Sequence, residues 1–225
     1  MSPEVQFLWL PRAGANSLDY DSICIHDRIP ALPFRLALAD PDPQTIRPDI
    51  WADLLARSFV DEGTLAFATV DTELMLRQAA YAACVAGEDG VEVTEPARTG
   101  FAGLTVEPGN RWSLTCSPGY CVVQLHGAGQ PVALPQPGVL ATRAMVSSVH
   151  SQTSVFSRLT GNWEAGDTLL LCNPTAAPWI GRQTDFGAVV EIANASLAGF
   201  QGMAKRTRLN GMLEAGDVAV AVVNL

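Results

Sequence analysis

An α+β layered sandwich is the fold class that the sequence predicts. Short apolar or alternating runs, bounded by Pro, Gly and Asn, recur near the start, in the middle and at the end. Helical periodicity is confined to two blocks between them. The order is therefore strands, helices, strands, helices and one last strand. Strands arriving in antiparallel runs with helices grouped between them do not fit the βαβ alternation of a Rossmann fold.

The elements follow in order. Residues 5–10 (VQFLWL), 22–26 (SICIH) and 34–40 (FRLALAD) read as strands. PDPQTIRP breaks the chain, and the period then changes. Ile50, Leu54, Leu55, Ser58 and Phe59 share one helical face, with Asp53, Arg57 and Asp61 elsewhere. Pro48 suits the first turn of that helix, where its missing N–H is no loss. A second helix is expected over 71–86, capped by Asp71 or Thr72 and ended by Gly87. Residues 88–98 read as an exposed connection. Residues 100–107, 111–116, 120–125 and 131–134 then read as an antiparallel meander, turning at PGN, SPG and GAG. Residues 135–160, rich in Ser and Pro, carry no assignable period. DTLLLCN (167–173) is a buried strand after the turn EAG, 175–208 are mostly helical, and 217–225 close the chain as a strand.

Composition bounds the function. The chain has 225 residues, 48% apolar and 16% charged, which is a large core under a thin charged shell. This size fits one domain over 1–225. The net charge is −9, and Lys205 is the only lysine. Such a surface repels phosphate backbones and anionic lipid, so nucleic-acid and membrane partners are not expected. No run reaches the roughly 18 apolar residues of a spanning helix. The first ten residues lack the basic start of a signal peptide, so a cytoplasmic location is expected. Cys24, Cys84, Cys116, Cys121 and Cys172 contain no CxxC pair, and three of them sit in apolar runs as small hydrophobes.

Familiar motifs are missing: no GxxxxGK[ST], no completed GxGxxG after the GAG at 127–129, no GxSxG. His26, His126 and His150 are isolated, and a structural or surface role is the ordinary reading of each. Ser147, Ser148 and His150 are close in sequence, which does not make a triad. Carboxylates remain. Asp19 and Asp21 precede a strand, Asp40 and Asp42 end one, and Asp217 opens the last. Acidic groups at strand ends can converge on a hard cation. Local turn chemistry, with ADPDP as an Asx turn, explains the same spacing.

Six segments in order carry a resemblance: NSLDYDSICI (16–25), FRLALADP (34–41), the helix IWADLLARSF (50–59), WSLTCSPGYCVVQL (112–125), GDTLLLCNPTAAPWI (166–180) and GMLEAGDVAVAVV (211–223). Together the chain resembles a compact bacterial branch of the protein phosphatase 2C family, the metal-dependent Ser/Thr phosphatases. That family has an N-x-(E/D)-D strand, an A-D-G strand end, a G-D-S turn, a G-D-x-L-L-L-x-(S/T)-D turn and a closing D-(D/N)-V-T strand. The resemblance implies a four-layer α-β-β-α sandwich, two antiparallel sheets flanked by helices. It also implies a pair of magnesium or manganese ions that acidify a water and neutralise phosphoryl charge.

On the same resemblance, the first family Asp falls on Asp21 and the A-D-G Asp on Asp40, with Pro41 in place of the Gly. The G-D-S turn falls on Thr115, Cys116 and Ser117. The Asp of the L-L-L turn falls on Pro174, and the last metal-binding Asp on Gly216, leaving Asp217 beside it. One ion loses both private carboxylates, and no acid lies within three positions of Pro174. Asp21 and Asp40 then hold at most one weak, mostly hydrated ion. Arg12 stands at the wrong spacing for the family's phosphate-binding arginine.

Three readings result. The first is a catalytically inactive phosphatase-like domain that binds another protein, such as a kinase or phosphoprotein, through a rim of Pro41, Pro43, Pro118, Tyr120, Pro174, Pro178 and Trp179. The second is an active phosphatase with a rearranged site on Asp21, Asp40 and Asp217. The third is an unrelated α+β binding module, which two face-to-face antiparallel sheets would contradict.

Overall fold

A computed structural model describes residues 3–12, 32–42, 44–45, 47–62, 70–89, 97–127, 129–135, 145–148, 156–183 and 185–225. Two antiparallel sheets form its middle. In the first, β1 (Glu4–Leu10), β10 (Val218–Asn224), β9 (Thr168–Cys172), β5 (Cys121–Leu125) and β6 (Val132–Leu134) lie side by side in that order. In the second the order is β2 (Phe34–Pro41), β3 (Arg98–Glu107), β4 (Arg111–Cys116) and β8 (Ser157–Asn162), with β7 (Val146–Ser147) paired to β3.

Side-chain alternation divides the core into three layers. Leu36 and Leu38 of β2, Leu104 of β3, Leu114 of β4, Leu169 and Leu171 of β9 and Ala221 and Val223 of β10 meet between the sheets. The intervening residues Ala37, Ala39 and Phe101 face α1 (Pro48–Arg57) and α2 (Val70–Asp89), where Trp51, Leu55, Phe59 and Tyr81 cover them. On the other side Leu170, Cys172, Val218, Val220 and Val222 meet α3 (Ala176–Ile180), α4 (Phe186–Ala193) and α5 (Leu197–Leu209). The four-layer α-β-β-α sandwich expected of the resemblance is therefore the observed fold, and the unrelated-module reading is set aside. Central strands buried on both faces read as continuous apolar runs for this reason.

Several elements match their sequence readings closely: β1, β2, β4, β9, β10 and α1, whose first residue is Pro48. Others differ. The strand read over 22–26 lies outside the described residues, as do His26 and His150. Helix α2 runs through Gly87 to Asp89; no Cβ there would touch anything within 4 Å, so the glycine sits on an open face. Strand β3 begins at Arg98 rather than 100. The meander is two pairs in different sheets, because the chain crosses between sheets at 117–120. Strands β7 and β8 come from the stretch without period. None of the described helices is long and apolar enough to cross a membrane.

Close approach requires a glycine at 103. A Cβ on Gly103 would lie 2.5 Å from the Phe59 ring, so Gly103 lets α1 and the π turn after it (Ser58–Glu62) settle on β3.

Candidate functional site

One end of the space between the sheets gathers several of the residues that the sequence singled out. Strand alternation turns Asp40 toward that space, because Leu36 and Leu38 of the same strand face it. Its partner across the β2–β3 ladder is Gly100, and that of Pro41 is Thr99. Pro41 is buried. The chain then turns on Asp42, whose Oδ1 accepts from Gln44 N–H (3.1 Å) while its carbonyl accepts from Thr45 Oγ1 (2.8 Å). Asp42 thus forms the Asx turn expected of ADPDP.

The crossover from β4 to β5 closes this end. Thr115, Cys116 and Ser117 are all buried. Leu114 and Cys116 face the inter-sheet core, so Thr115 between them faces the outer layer. Ser117 extends the strand pairing: its N–H donates to Phe101 O (2.7 Å), and its Oγ accepts from Phe101 N–H (3.2 Å). Gly119 then takes φ +96°, a conformation that L residues rarely adopt. A Cβ on it would stand 3.0 Å from the Pro174 side chain. Tyr120 turns inward, 1% exposed, into the inter-sheet core. Its hydroxyl lies where a Cβ on Gly100 would come within 2.9 Å, so the ring covers the residue opposite Asp40.

Cys116, Cys121 and Cys172 are all buried. Burial, with a smaller contribution from Cys121, pushes Cys116 up to about 12. Cys172 is raised by its hydrogen bond with Cys121 and then by burial; the two are directly opposed in the β5–β9 ladder. Protonated buried thiols behave as small apolar groups.

The ends of β9 and β10 are joined by Asn173, which is fully buried. Its Oδ1 accepts from Ala176 N–H (3.0 Å) and Ala219 N–H (3.2 Å), and its Nδ2 donates to Asp217 O (2.9 Å). It therefore satisfies the first N–H of α3, whose N-cap residue is Thr175, and ties that helix to β10. Sequence reading passed over Asn173 while looking for a carboxylate; an Asn at a strand-to-helix junction was the available signal. Pro174 follows, with no polar side-chain atom. Gly216 contributes only its carbonyl, which accepts from Arg208 Nη2 (2.7 Å). The same guanidinium donates from Nε to Glu214 O (3.2 Å) and from Nη1 to Pro11 O (3.1 Å). Desolvation lowers the Arg208 pKa, and nearby Asp217 raises it. Asp217 Oδ1 accepts from the backbone N–H of Arg12 (2.5 Å).

Asp40, Pro41, Cys116, Pro174, Gly216 and Asp217 thus share one end of the sandwich, and Thr115 faces away from it. Asp21 lies outside the described residues, as does Pro43. The expected apolar rim is corrected: Tyr120 and Pro41 are buried, and Trp179 packs on Phe200 with ring centroids 5.8 Å apart. Among the described residues no group of three or more His, Cys, Asp and Glu is placed to hold a metal ion.

A second polar cluster occupies the opposite end. Asp167, 2% exposed, bonds His126 Nδ1 through Oδ1 (2.8 Å). Its Oδ2 accepts from Gln124 Nε2 (2.8 Å) and Glu164 N–H (3.0 Å). His126 is a surface histidine as expected, and it is paired rather than isolated.

No protein-family model matches the sequence, and no curated protein matches it. Solved structures do match its fold. The chain is similar to the Mycobacterium tuberculosis serine/threonine phosphatase PstP/Ppp at 14% identity and TM-score 0.62, over 100% of this chain and 99% of that one. It is similar to PppA, described as a key regulatory component of T6SS in Pseudomonas aeruginosa, at 15% identity and TM-score 0.59, covering 100% and 98%. A PstP catalytic domain in complex with 2 manganese ions matches at 16% identity and TM-score 0.60, covering 99% and 98%. The fold is that of the protein phosphatase 2C type of Ser/Thr phosphatase.

Proposed function

We propose that this chain is a catalytically inactive phosphatase-like domain, one domain over 1–225, that works in the cytoplasm through contact with another protein in phospho-signalling. The observation that carries the reading is the chemistry of the donor set at the Asp40 end. Pro174 and Gly216 stand where the resemblance calls for two carboxylates. Neutral groups fill their surroundings: Pro174 packs on Gly119, and the carboxamide of Asn173 is committed to three backbone groups. Tyr120 covers the residue opposite Asp40. Asp217 has one oxygen already engaged by a backbone N–H. Hard divalent cations need several oxygen ligands, mostly anionic. This donor set does not fit a two-ion centre. Asp21 with Asp40 suits at most one weak, hydrated magnesium or manganese ion.

The family resemblance and the regulatory role of the structurally similar PppA support a protein partner, such as a kinase or phosphoprotein. The competing reading is an active manganese- or magnesium-dependent phosphatase on Asp21, Asp40 and Asp217. The test is p-nitrophenyl phosphate hydrolysis by the purified chain in millimolar manganese, beside Asp40→Ala. The expected result is no turnover above the variant. Turnover that Asp40→Ala abolishes would establish the active enzyme instead.

A further inference from the structure

We propose that the C-terminal end of α5 is a docking platform for an acidic segment of another protein that carries apolar side chains. The helix end is fully closed. Gly211, at φ +71°, donates its N–H to Arg208 O (3.0 Å), and Met212 N–H donates to Thr207 O (3.1 Å). This is the double bond pattern of a Schellman motif. In such a motif the residue after the glycine usually packs back on the helix. Here Met212 is 67% exposed and Leu209 is 86% exposed. They are the two most exposed large apolar side chains among the described residues. Arg208 braces the same helix end against Pro11, Glu214 and Gly216. Two apolar groups are therefore held toward water on a rigid support. Fixed anchors of this kind bind with little further loss of freedom.

Charge identifies the occupant. Residues 192–213 contain no Asp or Glu, although the chain carries 23 acids. Lys205 lies one helical turn before Leu209 and shares its face, and Arg206 lies three positions before it. Both are exposed, and no carboxylate among the described residues pairs with either. A local cationic patch beside two apolar anchors complements an acidic, apolar-bearing polypeptide. A nucleic acid or an anionic membrane carries its charge far beyond the patch and so meets the chain's net charge of −9, which a short acidic segment confined to the patch largely escapes by screening.

The experiment uses the full chain and a fluorescein-labelled helical peptide of Glu and Leu. Control peptides replace every Glu by Lys or every Leu by Ser, and mixed phosphatidylcholine–phosphatidylglycerol vesicles test the membrane alternative. Anisotropy is expected to rise with the Glu/Leu peptide only, and the binding to weaken with salt. Lys205→Glu with Arg206→Glu, and separately Leu209→Ser with Met212→Ser, each weaken binding about tenfold at an unchanged melting temperature. No binding at millimolar peptide, binding indifferent to both double variants, or preferential capture by vesicles overturns the proposal. It does not depend on whether the Asp40 end hydrolyses phosphate. Turnover of p-nitrophenyl phosphate, measured on the same sample, sinks the inactive reading and leaves the platform standing.

Discussion

Replacing Asn173 by Ala tests whether the Asp40 end is held by neutral hydrogen bonds. The substitution removes two acceptor contacts, to Ala176 N–H and Ala219 N–H, and one donor contact, to Asp217 O. Ala176 is fully buried and Ala219 nearly so, which limits rescue by water. A net loss of about 0.5–1.5 kcal/mol per bond, raised where a buried group is left alone, sums to about 3–5 kcal/mol. For a chain of this length that lowers the melting temperature by about 6–20 °C. Urea unfolding followed by tryptophan fluorescence reads the same quantity as a shift in midpoint at constant slope. Asn194→Ala is the control: that side chain is exposed and makes one bond, to Val190 O (3.0 Å). It should cost below about 1 kcal/mol. Manganese should not restore Asn173→Ala, since no ion holds these strand ends together in the proposed reading. If Asn173→Ala costs no more than Asn194→Ala, the network is not what joins β9, α3 and β10. If manganese restores it, an ion does the joining.

Two further outcomes follow from the same geometry. Cys116 is raised to about 12 by burial, so the native state keeps a proton that the unfolded chain releases near pH 9. Its contribution to stability is present below about pH 9 and is lost as pH rises toward 12. The stability gap between wild type and Cys116→Ala should therefore narrow from pH 8 to 10.5 in urea titrations, and a constant gap would contradict the burial argument. Introducing carboxylates with Pro174→Asp and Gly216→Asp together should create a manganese-dependent thermal shift. At about a hundredfold excess over the dissociation constant the gain is roughly 2.7 kcal/mol. The wild type should move far less, and an equal wild-type shift would refute the claim that these two positions decide ion binding.

Much of the architecture was legible because its central strands are buried on both faces. Runs such as LALA of β2, LLL of β9 and VAVAVV of β10 admit no other placement in a chain this apolar. What failed depended on contacts distant in sequence. Ser117–Tyr120 has the composition of a hairpin turn, yet Tyr120 is buried between the sheets and its strand belongs to the other one. Strand β8 reads as polar because it is an edge strand, with only Leu159 packed against the inter-sheet core. His126 and Asp167 are neighbours through the β5–β9 ladder, where Leu125 opposes Thr168; no local spacing announces that. At the candidate site the motif order of the resemblance, not spacing, picked strand ends that the fold brings to one end of the sandwich; spacing alone favoured local turn chemistry. Asn173 was missed because a search for metal ligands looks for charge, and the residue that joins these ends is neutral.

On the proposed reading, the neutrality of Asn173 has a physical consequence for how this end of the fold is held. Acids crowded at strand ends repel one another until cations bind, so an end with fewer acids carries less repulsion as well as fewer ligands. The strand ends must then be joined by something else. Asn173 joins β9, α3 and β10 by bonds that carry no net charge. Arg208 joins the ends of β1 and α5 and the turn before β10 through three carbonyls, placing a fixed cation near Asp217. Tyr120 fills the inter-sheet space opposite Asp40 with an apolar ring. None of the three can leave as an ion does. Two carboxylates placed at positions 174 and 216 would therefore let an ion bind without making the fold depend on it, since Tyr120 keeps its packing against Gly100 either way.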